Sequence, residues 1–241
     1  MHREDIVFIL VRPSFLGNIG SAARVLKNFG FSNLRLVAPP KNYKDAESRK
    51  MAVDAFDILK NSRVFTDLNE ALEDINLVLG TSCAKQRLCS FLELPELDAY
   101  IGLPSKNLIA ILFGNERDGL TRDELLQCHQ IIKIPVSETF PSINLAQAVG
   151  IVAYELSRRS SSSLELPEMS SRAEENALFE KLEIMLEQIG FTRSFNKTSV
   201  RSELRSLLLR SRPSRRELGI LRGILAKFQS RLSESDGHQQ S

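Results

Sequence analysis

No tryptophan occurs in this chain, and tyrosine and histidine occur only three times each. His2, His129 and His238 lie far apart, two of them at the ends, so neither a histidine-ligated metal nor a nucleophile–histidine pair is expected. Cys83, Cys89 and Cys128 are odd in number and lack metal-ligand spacing, which points to reduced thiols in a cytoplasmic protein rather than a disulfide scaffold. No run approaches the ~18 apolar residues of a membrane-spanning helix. The start, Met1-His-Arg-Glu-Asp, carries both signs and precedes only six apolar residues, too few for a signal peptide. A G-x-G-x-x-G fingerprint is also missing. Gly17-x-x-Gly20 lacks its third glycine, which disfavours a nicotinamide site.

With 241 residues, 42% of them hydrophobic, the chain can bury the core of one large domain and add a small one. Residues 5–11 (DIVFILV) read as a buried strand that stops at Arg12-Pro13. Asn18 reads as the N-cap of a helix with Ile19, Ala22, Ala23, Leu26 and Phe29 on one face and Gly30 as its stop. Residues 33–38 form the next strand, which makes a β-α-β unit with a parallel pair. Further on, 51–59 reads as a short helix, 62–65 as a weak strand and Asp67 as the start of another helix. Strands at 76–80, 108–113 and 130–134 alternate with helices at 93–101, 121–128 and 144–158. This alternation predicts an α/β fold on a parallel sheet.

Three of these strands open into loops rich in turn and polar residues: Thr81-Ser82-Cys83, Gly114-Asn115-Glu116-Arg117-Asp118-Gly119, and Pro135 to Asn144. Loops at the carboxyl edge of a parallel sheet are where α/β proteins build ligand sites. Three segments carry a resemblance: Asn18-Ile-Gly20-Ser-Ala-Ala-Arg24, Leu112-Phe-Gly114-Asn-Glu116-Arg-Asp-Gly119-Leu, and Ile134-Pro135 with Ser142-Ile-Asn144-Leu-Ala146. Together they resemble the three motifs of SpoU-type (SPOUT) RNA 2′-O-ribose methyltransferases, over about residues 5–157. The helical tail resembles that of the bacterial tRNA enzymes acting on anticodon-loop nucleotide 32.

That resemblance implies a SPOUT domain with a deep trefoil knot over residues 1–159, S-adenosylmethionine as cofactor, tRNA as partner and a homodimer. It implies cofactor contacts from Thr81, Ser82, Cys83, Gly114, Ile134, Pro135, Pro141, Ser142 and Ile143. It gives catalytic roles to Asn18, Arg24, Glu116, Ser142 and Asn144. Pro141 and Ile143 depart from the Ser/Glu and Leu usual there, and Pro141 leaves only a carbonyl to any ligand. An arginine is often proposed as the base in this family. Because a guanidinium is not deprotonated in proteins, Arg24 is read instead as a phosphate clamp that stabilises the developing alkoxide. Two other readings stay open: ribosomal RNA as substrate, or a non-catalytic RNA-binding protein that keeps the fold.

Residues 160–171, serine-rich with Pro167, read as a flexible linker. A helical domain is expected over 172–232, with helices at 172–189, 199–210 and from Pro213-Ser214-x-x-Glu217 to about residue 232, and a disordered tail over 233–241. Between residues 193 and 231 stand eleven Lys or Arg against Glu203 and Glu217, an excess of nine in a chain whose net charge is +2. The remainder is therefore net acidic. Such a concentration on helices points to RNA phosphates, with Arg205, Arg212, Arg215, Arg216 and Arg222 as the expected contacts.

Overall fold

A computed structural model describes residues 3–82, 91–101, 103–104, 107–137, 139–158, 165–194 and 196–238. Nine strands and ten helices are described. In chain order they are β1 (Ile6–Val11), α1 (Leu16–Asn28), β2 (Leu34–Val37), α2 (Ala46–Ala52), α3 (Phe56–Asn61), β3 (Arg63–Phe65), α4 (Leu68–Leu72) and β4 (Leu77–Thr81). There follow β5 (Phe91–Glu93), α5 (Leu97–Ile101), β6 (Leu103–Pro104), β7 (Ile109–Phe113), α6 (Arg122–Leu125), β8 (Gln130–Lys133), α7 (Leu145–Ser157) and β9 (Glu165–Leu166). The last three are α8 (Arg172–Gln188), α9 (Lys197–Ser211) and α10 (Arg215–His238).

Seven strands form one sheet in the order β3-β2-β1-β7-β4-β8-β5, and every pair is parallel. The central strands β1, β7 and β4 are largely apolar because both faces are covered, whereas the edge strands β3 and β5 carry the exposed Arg63 and Glu93. Along β1, Ile6, Phe8 and Leu10 enter a core shared with α1, α5 and α7. Val7, Ile9 and Val11 enter the opposite core, beneath α4 and α6. The α/β parallel-sheet expectation holds, and β7, β4 and β8 lie side by side as their loops require.

Several local expectations differ. Asn18 does not cap α1, which begins at Leu16 with Phe15 as N-cap and no side-chain cap. The donors at that end are taken from elsewhere in the chain: Glu116 accepts from the Ser14 and Phe15 amides, and Glu47 from Gly17. The helix expected at 51–59 is broken. Val53 takes a positive φ of 51°, which ends α2 and turns the chain through a 3-10 turn into α3.

The linker is structured from Glu165 onward: β9 pairs with β6, and Met169 bridges Ser214. Residues 159–164 lie outside the described ones. Ser171 caps α8 in a reciprocal box with Glu174. The first amides of α8, from Arg172 and Ala173, donate to the carbonyls of Ile75 (2.8 Å) and Glu73 (3.3 Å). A helix start normally leaves such donors unpaired. Here the α/β unit pairs them, so the helical segment is keyed into it. The helix placed after Pro213 runs through His238, past the disordered tail expected from Ser233, because neither proline nor glycine stands between Gly223 and Gly237 and elongation is cheap once a helix has nucleated.

Candidate functional site

The three adjacent strands β7, β4 and β8 end at one edge of the sheet, and the loops beyond them enclose a cleft of about 300 Å³. Thr81, Ser82, Gly114, Glu116, Ile134, Pro141, Ser142 and Ile143 all line it. Pro135 is exposed beside Ile134 and does not line the cleft, and Cys83 lies outside the described residues. Phe113, Asn115, Arg117 and Leu120 also line the cleft; they fall within the second motif, although no individual role was given to them in the sequence. Gly114 is required by a close approach. A Cβ there would sit 2.1 Å from the carbonyl carbon of Gly119 and 2.2 Å from the Leu120 amide. The loop between them folds back on itself, held by two backbone hydrogen bonds between Asn115 and Gly119 (3.1 and 2.8 Å), with Gly119 at φ 67°.

At the rim of the cleft the three motifs meet in one chain of hydrogen bonds. Glu116 Oε2 accepts from the Ser14 amide and hydroxyl, each at 2.8 Å. Its Oε1 accepts from the Phe15 amide at 3.1 Å and from Asn18 Nδ2 at 3.0 Å. Asn18 Oδ1 then accepts from Asn144 Nδ2 at 2.8 Å. Asn144 Oδ1 caps α7 by accepting from the amides of Ala146 (2.9 Å) and Gln147 (3.4 Å). Capping and positioning are thus shared between the two ends of one amide. Burial pushes the Glu116 carboxyl up, but hydrogen bonds from Asn18 and Ser14 outweigh it and hold the group below its ordinary range. An ionised carboxylate with four donors on it is an organiser of the loop, poorly suited to accept a proton.

Arg24 stands apart. It is exposed on α1, does not line the cleft, and has no partner among the described residues.

The tail arginines divide into two groups. Arg205 packs between helices: its guanidinium donates to Asn176 Oδ1 at 2.9 Å and lies 5.6 Å from the Phe179 ring centre. Burial, helped by the charges of Arg172 and Arg201, lowers its pKa to about 10. Arg212, the left-handed C-cap of α9 at φ 49°, donates to the Tyr100 carbonyl at 2.9 Å and covers the Tyr100 ring. Arg215 pairs with Glu168 and Glu174. Those three, expected on phosphates, each have a partner within the chain, and Arg215 meets its carboxylates at the surface with its side chain 57% exposed. Only Arg216 and Arg222 of the five are exposed without a partner among the described residues. Part of the basic excess also answers the acidic α8, through Lys197–Glu187 and Arg201–Glu183 pairs.

A parallel sheet with a cleft of mixed polar and apolar lining at its carboxyl edge, and three distant motifs joined at its rim, is the arrangement in which α/β proteins build ligand sites. The SpoU rRNA Methylase family matches residues 5–154, and the C-terminal domain of the tRNA methyltransferase TrmJ matches residues 173–237. The tRNA (cytidine/uridine-2'-O-)-methyltransferase TrmJ of Sodalis glossinidius (strain morsitans) is 38% identical over 94% of this chain and 92% of that protein. The crystal structure of TrmJ from Z. mobilis ZM4 superposes with a TM-score of 0.83 at 33% identity, covering 92% of this chain and 98% of that one. The SpoU methyltransferase AviRb from Streptomyces viridochromogenes, in complex with AdoMet, shares the fold at a TM-score of 0.51 and 23% identity, over 64% of this chain and 60% of that one. The chain belongs to the SpoU methylase family, in the group that contains TrmJ. None of its described helices is long and apolar enough to cross a membrane.

Proposed function

We propose that the protein is a cytoplasmic homodimer that methylates the ribose 2′-hydroxyl of tRNA at anticodon-loop nucleotide 32, accepting cytidine, uridine or both. The observation that carries this is the Glu116–Asn18–Asn144 chain, which joins the three motifs at the mouth of one cleft. The cleft suits S-adenosylmethionine. It is lined by the apolar Ile134, Ile143 and Phe113 together with polar loop ends, and the Gly114 contact lets backbone approach a ligand without a side chain between. When bound, S-adenosylmethionine supplies an electrophilic methyl group.

The chain's own residues then have separable tasks. Thr81, Ser82, Gly114 and the 134–143 loop hold the cofactor. Glu116, Asn18, Ser142 and Asn144 fix the loop geometry and orient the incoming ribose. Arg24 grips RNA phosphate and stabilises charge on the ribose oxygen. The proton leaves to an RNA phosphate or to water, because Glu116 is held ionised by its donors and guanidinium does not deprotonate.

The test is methyl transfer to unmodified tRNA, followed by mapping of the modified nucleotide, with a ribosomal RNA fragment in parallel. Methylation at nucleotide 32 of tRNA is the expected result. A methyl group at another tRNA position, or on the ribosomal fragment alone, overturns the assignment.

The tail is expected to act through backbone phosphates. Arg216→Ala and Arg222→Ala should each weaken tRNA binding modestly and flatten the slope of log affinity against log salt by about 0.7–0.9. Arg205→Ala should lower the melting temperature and leave that slope unchanged, since its charge is engaged inside the helical segment. Equal slope changes for all three substitutions would contradict the division.

A further inference from the structure

Arg12 lies outside the three motifs, at the turn that follows β1, and none of the roles above uses it. Its backbone has a positive φ of 52°, a conformation that costs a residue with a side chain roughly 1–2 kcal/mol. The strained turn sets up an unusual set of contacts. Nε and Nη2 donate to the two carboxylate oxygens of Glu124, each at 2.8 Å. Nη2 also donates to the Gly119 carbonyl at 3.2 Å. The Arg12 carbonyl accepts from Asn115 Nδ2 at 2.6 Å, while its amide donates to Val37 in the sheet at 2.9 Å.

Asn115 and Gly119 are the two ends of the loop that forms one wall of the cleft, so a single residue anchored to the sheet grips both ends. Between them lies Glu116, which ties the loop to Asn18. Glu124 is fixed in turn: its carboxylate accepts from the Thr121 amide at 2.6 Å, closing a capping box at the start of α6. The Glu124 side chain is only 13% exposed, so solvent screens this pair less than an ordinary surface ion pair. Arg12 does not itself line the cleft.

We propose that Arg12, locked by Glu124, is the positioning residue for the 115–119 wall, and that it sets the affinity for S-adenosylmethionine without touching it. This rests on reading the cleft as the cofactor site. A bidentate fork is needed because one guanidinium must reach a carboxylate and a carbonyl together, and an ammonium has no such plane.

The experiment is calorimetric titration of the full chain with S-adenosylmethionine, alongside thermal unfolding and steady-state kinetics. Arg12→Gly is the informative variant. Glycine relieves the positive φ, which offsets the lost ion pair and keeps the protein folded, but it cannot hold the loop. Binding should weaken by about tenfold, the worth of one charge-assisted hydrogen bond, with KM for the cofactor rising and kcat changing less. Arg12→Lys should recover part of the loss. Glu124→Gln should weaken binding in the same direction. The double variant should be no worse than the stronger single one, because the two side chains act as one unit. Wild-type affinity in Arg12→Gly, or a fall in melting temperature with unchanged affinity, overturns the proposal. If the wild-type chain itself takes up no S-adenosylmethionine, the reading of the cleft fails before the role of Arg12 is reached, and both fall together.

Discussion

Arg24→Ala should lose methyl transfer by about 10²-fold or more, the cost of removing one preorganised group that stabilises transition-state charge, while S-adenosylmethionine binds as in the wild type. The geometry separates these two readouts. Arg24 is exposed on α1, outside the cleft lining, and has no partner among the described residues. Its removal takes away no contact that holds the cofactor loops, and its effect on stability should stay within ~0.5 kcal/mol. An unpaired arginine in a motif that also holds Asn18 is available for RNA phosphate, which the isolated subunit cannot supply. Arg24→Lys should fail largely as well, since a two-point grip on phosphate needs the guanidinium plane. The measurements are single-turnover methylation of tRNA and cofactor calorimetry on the same preparations. Equal losses of rate and cofactor affinity would show that Arg24 belongs to the cofactor site after all. An active lysine variant would leave only a point-charge role.

Much of the α/β unit was legible in the chain because its central strands are buried on both faces. Such strands read as unbroken apolar runs, and their ends are marked by Arg12-Pro13, Pro39-Pro40 and the glycine-bearing loops. The cleft was legible through its loops, and eight of the nine residues named as cofactor ligands or motif organisers at 81–82, 114–116 and 134–143 line it. What periodicity could not give were contacts made across the sequence. Asn18 has the residue type of an N-cap, yet the cap of α1 comes from Glu116 and Glu47, about 100 and 30 positions away. The partner of Arg12 is likewise remote. Whether loops thread through one another leaves no mark on periodicity either, so the knot enters by resemblance alone.

The tail shows the same limit in its charges. A count of arginines measures the field they produce but does not say which are answered by carboxylates of the same chain. Arg215 is answered by Glu168 and Glu174, Arg205 by the Asn176 amide oxygen and Arg212 by the Tyr100 carbonyl, while Arg216 and Arg222 have no partner among the described residues. Sequence spacing also hid the seam between the two segments, where a histidine dismissed as scattered proves to be fully buried.

At that seam, Glu175→Ala should destabilise the protein by about 3–5 kcal/mol, the usual cost of leaving one member of a buried ion pair alone. Glu175 and Arg172 are 2% and 1% exposed, and Arg172 Nη1 donates to Glu175 Oε2 at 3.0 Å. The other oxygen of Glu175 accepts from Ser170 Oγ at 3.2 Å and faces His129 Nε2 at 3.4 Å. The Val78 amide donates to His129 Nδ1 at 2.9 Å. An amide can only donate, so Nδ1 carries no proton and Nε2–H points to Glu175. The histidine is therefore held neutral, joining β4 of the α/β unit to α8. Burial lowers its pKa, against the pull of Glu175 and together with the charges of Arg172 and Arg212. For Glu175, burial pushes the carboxyl up, but His129 and Arg172 outweigh it and hold it low.

The signs follow from linkage. An unfolded histidine titrates near 6.5, so stability is full above that pH. It falls as pH drops below that value, because the unfolded chain then binds the proton that folded His129 refuses. The carboxylate contribution is present above the ordinary glutamate range and is lost further down, as pH falls through the lowered value. Urea unfolding of the full chain from pH 7.5 to 5 should show this decline. His129→Gln should flatten it, since an amide can accept from Val78 and donate to Glu175 without titrating. Replacing both Arg172 and Glu175 by apolar residues of similar volume should recover most of the stability lost in Glu175→Ala, because no charge is then left buried alone. A loss below ~1 kcal/mol in Glu175→Ala, or an unchanged pH slope in His129→Gln, would mean that the seam is held by its apolar contacts and the backbone bonds to Glu73 and Ile75 instead.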